Sequence, residues 1–448
     1  MEQRERELFR VTCSIAWPAA VEALLVNIVE LVDMAMISRL GLSAVAAVGL
    51  TIQPRRILLM PVLALNTGAS VLVSRRMGEG CPEDANRCMR QFVLLCVVVS
   101  ALVYGGGFCL ARPFMRFSGA DADTLRDSVV YFRILMAGQL LQSVSLTVNA
   151  CLRAAGKTRV SMTTNLAANL MNVVCNYLLI FGNLGFPRWE VAGAAAATAL
   201  GSLSALLISL WSVRRGAGGV LFLPLAPAAW RIEPQKLLAV RGIVFSAFYE
   251  QLCQRIGLFL FTRLAASLGM VEFALYQIVM NIANLQGYTY DGVATAATAL
   301  TGQSLGAGKE ELAERYNRIS LGIGYGIAAV IGVGIVLFRQ ELLGLFVKEA
   351  DVAAAGSRLL LLVEAGSLPC CGAVVYFGAL RGAGDTKSVA RVTLIIVALI
   401  RPALSWGLCY PLGLRHMGIW AGYLAAHILR WYAIRSHYRR GEWKAIRV

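Results

Sequence analysis

Leu152-Arg153-Ala154-Ala155-Gly156-Lys157-Thr158 returns 228 residues later as Leu380-Arg381-Gly382-Ala383-Gly384-Asp385-Thr386. The same offset lays Glu22 on Glu250, Leu40-Gly41 on Leu268-Gly269 and Thr67 on Thr295. It continues through Gly78/Gly306, Gly80/Gly308, Glu83/Glu311, Arg87/Arg315, Arg90/Arg318, Asp123/Asp351 and Gly138/Gly366 without an insertion. Shared apolar composition supplies matching alanines and leucines by chance, but not charged residues and glycines in register. The chain is an internal duplication.

The composition says what was duplicated. Of 448 residues, 58% are hydrophobic and 15% charged, with a mean hydropathy of +0.64. Soluble domains carry about 25% charged residues, and a soluble protein of this length needs that many to coat two or three domains. A membrane span takes about 20 mostly apolar residues. Twelve such runs are legible, near 11–37, 44–73, 91–111, 128–151, 161–182, 190–213, 241–266, 271–301, 317–338, 356–379, 388–411 and 417–436. Six spans per half is an even number, so the second half re-enters the membrane with the orientation of the first. The expected fold is an all-α polytopic membrane protein, twelve transmembrane helices in two parallel six-helix repeats around a central cavity. The expected organisation is a first half at 1–213, a cytoplasmic linker at 214–240 rich in Gly, Pro and basic residues, and a second half at 241–448.

The net charge of +16 would suggest nucleic acid in a soluble protein. Placed on the spans, Lys and Arg divide 26 to 10 between the two sides, with the rest inside spans. That bias predicts both termini in the cytoplasm of a plasma-membrane protein, and no nucleic-acid partner. Met1–Arg10 is charged and the first apolar run is too long for a signal-peptide core, so a retained first span is expected. The 11 Cys lie mostly in apolar runs, and the one close pair, Cys370-Cys371, is adjacent, too tight for ordinary zinc ligation. Gly156-Lys157-Thr158 ends like a phosphate loop, but the pattern needs Gly at 151, where Cys stands. Three His, all near the C-terminus, and no nucleophile constellation argue against an enzyme. No cofactor is expected.

The repeated turns resemble the multidrug and toxic compound extrusion (MATE) family over nearly the whole chain. Val32-Asp33 followed by Arg39-Leu40-Gly41, Ala46-Ala47-Val48-Gly49-Leu50, Gly302-Gln303-Ser304-Leu305-Gly306-Ala307-Gly308 and the two Leu-Arg turns carry the resemblance. Gly49-Leu50-Thr51-Ile52-Gln53-Pro54-Arg55 is similar to a bacterial branch. The resemblance implies that Asp33 binds the coupling H⁺ or Na⁺ beside Asn172 and Asn176, with Thr198 a weaker addition. It also implies a coupling role for Glu250. Part of the family has Asp where Asn176 stands, and some relatives have a carboxylate where Cys370 stands, so the acid count here is lower.

The residues themselves point to overlapping places. Burying a charge in a span costs several kcal/mol by most scales, so an intramembrane charge marks function by default. Glu22, Glu30 and Asp33 share one face of span 1 over roughly 16 Å of axis. Asn165, Asn169, Asn172 and Asn176 stripe span 5. Gln254 follows Glu250 one turn later, and Asp291 and Glu364 are further intramembrane acids. Of these, Glu22, Glu30, Gln254, Asp291 and Glu364, together with Gln53, Arg56, Tyr276 and Asn281, line the expected substrate cavity. Arg55 and Arg56 are open to pairing with Glu22 or Glu30, or to an anionic substrate.

The expected activity is secondary antiport of cationic, amphipathic organic solutes against H⁺ or Na⁺, by rocker-switch alternating access in a monomer that meets only lipid and small substrates. The rival reading is a lipid-linked glycan or lipid flippase of the same larger exporter group, to which Arg55, Arg56 and Arg133 point.

Overall fold

The computed structural model describes residues 2–216, 221–223, 230, 234–344, 346 and 350–447. The first repeat runs α1 (Glu2–Ser38), α2 (Leu42–Gly78), α3 (Pro82–Cys109), a short α4 (Ala111–Phe117), α5 (Ala122–Ala154), α6 (Thr158–Phe181) and α7 (Glu190–Arg214). The second runs α8 (Pro234–Ala266), α9 (Met270–Gly306), α10 (Glu310–Leu337), a short α11 (Arg339–Gly344), α12 (Ala350–Ala365) and α13 (Ser367–Ala383). It ends with α14 (Thr386–Val392), a π-helical stretch (Thr393–Ile400), α15 (Arg401–Cys409) and α16 (Arg415–Arg440). No strand occurs among the described residues.

Among the described residues, seven helices are long and apolar enough to cross a bilayer, counting Thr386–Cys409 as one. An eighth span is formed by α12 and α13, bent by 42°. Four more helices, α1, α8, α9 and α16, are of comparable length but interrupted by charge, such as Glu22 in α1, Glu250 in α8, Asp291 in α9 and Arg430 in α16. Those charges, placed in otherwise apolar rods, are the residues on which the functional argument turns.

Two expected spans differ in detail. Span 356–379 is broken between α12 and α13, where Pro369 has no N–H to return to the Ala365 carbonyl. Span 388–411 widens into π geometry. The Arg401 N–H bonds the Ile396 carbonyl five residues back, just before Pro402, which cannot donate to Ala398. Of the expected 214–240 linker, residues 217–220, 224–229 and 231–233 lie outside the described residues, and 234–240 are already the first turns of α8.

The repeated Leu-Arg turns fold identically. Lys157 N–H reaches the Leu152 carbonyl at 2.8 Å and Gly156 N–H reaches Arg153 at 2.9 Å; Asp385 to Leu380 and Gly384 to Arg381 repeat both bonds at 2.8 Å. This is the Schellman closure, which needs a left-handed residue after the helix. Gly156 (φ +80°) and Gly384 (φ +89°) supply it. Arg153 and Arg381 therefore sit in the last helical turn, where a cation complements the exposed carbonyls.

Contacts divide the chain into two compact units: Val21–Val244, and Met1–Ala20 with Phe245–Val448. In the first, α5 packs on α2, α3 and α7, and α6 packs on α7, around Tyr104, Phe132 and Met136. In the second, α13 packs on α9, α10 and α16, and α15 packs on α16. Its cores hold Phe261, Tyr276 and Trp420 in one place and Phe377, Ile434 and Trp443 in another. At the N-terminus of α5, Asp121 and Thr124 form a reciprocal cap. The hydrogen bonds from Thr124 hold the Asp121 carboxyl below the usual carboxylate range.

Candidate functional site

In the first unit, α1 and α6 present a polar ladder to each other. Asn165 Nδ2 donates to Glu22 at 2.5 Å, and Asn176 Nδ2 donates to Asp33 at 2.5 Å. Both rungs are eleven residues apart on both helices, three turns each, so a single helix–helix register serves both acids. Between them Asn172, its amide oriented to satisfy both neighbours, donates to Asp33 at 2.9 Å and accepts from Thr198 Oγ1 of α7 at 3.3 Å. A Cβ at Gly201 of α7 would lie 3.0 Å from the Asn172 Cβ, so the glycine sets how closely α7 approaches this residue. Asn176 is 1% exposed and its Oδ1 has no hydrogen-bond partner. A carboxylate, two amides and a hydroxyl thus converge with one acceptor unsatisfied, a hard-oxygen set of the kind that holds a proton or a small cation.

The repeated glutamates form a pair of matched ion pairs. Arg153 Nη1 donates to Glu22 at 3.1 Å. Exactly repeated by the 228-residue offset, Arg381 of α13 holds Glu250 of α8 through both its Nε and Nη2. The two settings differ in support. Glu22 also accepts from Ser161 at 3.0 Å and from Asn165, whereas the offset replaces these with Val389 and Thr393. Glu250 is 2% exposed, and Arg381 is its one hydrogen-bonding or ion-pairing partner among the described residues. Arg153 and Arg381 are the counter-ions of the two repeated glutamates.

The remaining expected residues are dispersed. Glu30 is exposed and, with Arg55, lies within electrostatic reach of Asp33. Neither Arg55 nor Arg56 pairs with Glu22, whose cation is Arg153. Gln53, Gln254, Asn281 and Asp291 are exposed, and Arg56 is half-buried. Glu364 is buried and accepts from Gln286 at 2.9 Å. Tyr276 is packed, not cavity-lining: it is 2% exposed, stacks on Phe273 and bonds Thr262 at 3.0 Å. Sequence reasoning passed over Arg401, His427 and Arg430, which gather in the second unit. Two arginines inside spans were the available signal.

A family model described as MatE matches residues 18–178 and 247–406, one match in each repeat. Among curated proteins, the chain is 24% identical to "Uncharacterized transporter YisQ" of Bacillus subtilis, over 96% of this chain and 94% of the relative. It is 24% identical to "Probable multidrug resistance protein NorM" of Thermotoga maritima, over 98% and 94%. Among solved structures it resembles an outward-facing multidrug resistance MATE family transporter of the MOP superfamily, with a TM-score of 0.89 and 20% identity over 98% of this chain and 97% of that one. It resembles the Vibrio cholerae MATE transporter VcmN, in a mutant form, equally well, at 0.89 and 19% over 98% and 99%. These likenesses show the twelve-helix transporter fold.

Proposed function

The chain belongs to the MatE family of multi-pass membrane transporters, and from that premise we propose that it is a secondary antiporter exporting cationic, amphipathic organic solutes in exchange for H⁺ or Na⁺. The observation that carries this reading is the Asp33 cluster. Its carboxylate is met by Asn172 and Asn176, with Thr198 behind them and the Asn176 Oδ1 unsatisfied. A proton arriving there supplies the missing hydrogen-bond donor, a Na⁺ is ligated by the same oxygens, and departure of either leaves an acceptor-rich pocket. The site therefore favours alternation between loaded and empty states. H⁺ fits the set with one carboxylate, and Na⁺ would draw on the same oxygens of Asp33, Asn172, Asn176 and Thr198.

Glu250 is the second coupling group in this reading, with Arg381 balancing its charge when the site is empty of cation. Glu22 and Glu364, both held by amides, and the exposed Glu30, Gln53, Gln254, Asn281 and Asp291 together with Arg56 are the groups assigned to substrate. The halves 1–213 and 241–448 are the moving bodies of a rocker switch. The 26-to-10 basic bias supports cytoplasmic termini in the plasma membrane, and the protein acts as a monomer among lipids.

The test is uptake of an organic cation into inverted vesicles under imposed ΔpH or ΔNa⁺, with wild type, Asp33→Asn and Glu250→Gln. Gradient-driven uptake should fall at least tenfold in Asp33→Asn. If both variants exchange at the wild-type rate with either gradient, the coupling assignment is wrong.

A further inference from the structure

Arg401 and Arg430 are guanidinium groups in the membrane-spanning part of the second unit, and neither forms an ion pair among the described residues. Arg401 Cζ lies 4.9 Å from the centre of the Phe261 ring, and Arg430 Cζ lies 5.3 Å from Phe377. Among the described residues, the one hydrogen bond from Arg430 goes to the Cys370 sulfur at 3.8 Å. His427 lies within electrostatic reach of both arginines and meets Tyr423 edge-on at 4.3 Å. Arg430 and His427 are 8% and 7% exposed, and Arg430 Nε, His427 Nδ1 and Arg401 Nε are all buried without a partner.

That arrangement is costly unless something fills it. A buried guanidinium without an acceptor bears its desolvation uncompensated, and a ring face returns only part of it. The nearby acids do not close the gap. Asp291 is within electrostatic reach of Arg430 and Arg381 without an ion pair, and Glu364 accepts from Gln286. Two forks that present N–H donors beside aromatic faces match a planar carboxylate on a flat ring system.

The repeat supplies an independent argument. At the 228-residue offset Asp33 becomes Phe261, the ring under Arg401, and Asn172 becomes Ile400. The π-helical stretch Thr393–Ile400 adds one residue to the turn, which brings Arg401 to the register of Asn172. Where the first unit sets an acid and an amide, the second sets a ring and a guanidinium. π-Bulges inside helices recur at functional sites for this reason: they re-aim a side chain.

From this we infer that the second unit carries an anion-binding site, with Arg401 and Arg430 gripping an aromatic carboxylate whose ring lies against Tyr423, while the buried Phe261 supports Arg401 from beneath. The site goes beyond cation coupling at Asp33 and stands whether or not that coupling holds.

The test is isothermal titration of the purified full-length protein, in chloride-free buffer, with 2-naphthoate and with the isosteric neutral 2-naphthamide. Wild type should bind the naphthoate and prefer it over the amide by about tenfold or more, the worth of a charge-assisted pair. Arg401→Gln and Arg430→Gln should each lose at least tenfold for naphthoate and leave the amide unchanged. Arg430 is deeply buried; should Arg430→Gln not fold, the partly exposed Arg401→Gln decides alone. Equal binding of amide and naphthoate, no naphthoate binding, or undiminished naphthoate affinity in Arg401→Gln overturns the inference.

Discussion

Replacing Arg381 by Met separates the two repeated ion pairs more sharply than any other single change. The substitution keeps most of the aliphatic volume but leaves Glu250, 2% exposed, with no hydrogen-bonding partner among the described residues. Removing one partner of a buried pair costs about 3–5 kcal/mol, because the surviving charge stays desolvated. The matched change, Arg153→Met, leaves Glu22 with Ser161 at 3.0 Å and Asn165 at 2.5 Å. Its loss is one guanidinium nitrogen shared between Glu22 and Ser161, which stay hydrogen-bonded to each other, about 1.5–3 kcal/mol. The difference of about 2 kcal/mol is close to thirtyfold in an equilibrium constant. The assay is the midpoint of thermal unfolding in detergent, followed by size-exclusion fluorescence, for both variants and for Glu250→Gln with Arg381→Met. Arg381→Met should be clearly the less stable, and neutralising Glu250 beside it should recover more than half of the loss, since the stranded charge is then gone. Equal losses in the two single variants, or no recovery in the double, would refute the reasoning.

Gly201→Leu drives a side chain into Asn172 and the Ala168 carbonyl, 3.0 and 3.1 Å from the new Cβ. It should cost about 1–3 kcal/mol and reduce coupled transport more than Gly105→Leu, where no atom lies within 4 Å of the new Cβ. Gly384→Ala forces a side chain into φ +89° and should lower stability by about 1–2 kcal/mol in the same unfolding assay. Asp121 behaves differently with pH. Its carboxyl is held below the ordinary value by Thr124, so its capping contribution is present above the unfolded carboxylate range and lost as pH falls through the lowered folded value. Asp121→Asn should flatten the acid-side decline in thermal stability; an unchanged decline would show that the cap contributes nothing there.

The fold was legible because span length and the duplication are properties of the chain in one dimension. An offset of 228 and runs of about 20 apolar residues need no knowledge of packing. The Asp33–Asn172–Asn176 grouping was legible only through the family resemblance. Periodicity places Glu22 and Asp33 on one face of α1, but not against α6. The ladder to Asn165 and Asn176 depends on a helix–helix register that a single sequence does not state. The pairing of Arg153 and Arg381 with the two glutamates was hidden for a related reason. A last-turn arginine after an apolar run looks like loop charge, and its side chain turns back to an acid 131 residues away. The π-helical turn before Pro402 left no periodic trace in so uniformly apolar a stretch.

The duplication also explains why these hidden pairs matter together. A repeat that keeps Glu and Arg at both copies of the Leu-Arg turn preserves the scaffold of the pair, because the Schellman closure and the last-turn position fix where the guanidinium begins. The residues around it are then free to diverge. In the first unit Ser161 and Asn165 reinforce Glu22, and Asp33 gathers amides farther along α1. In the second, Val389 and Thr393 withdraw support from Glu250, and the position of Asp33 passes to Phe261 beneath a guanidinium. A carboxylate held by a single arginine is the more easily released of the two, since the departure of one side chain frees it. If cation arrival at Glu250 competes with Arg381, then Arg381→Lys, which keeps the charge but loses the two-pronged grip, should raise the apparent affinity for the coupling ion and leave that of Arg153→Lys nearly unchanged. Ion-concentration dependence of substrate uptake in proteoliposomes measures both. A matched shift in the two variants would mean that the repeats still share one role.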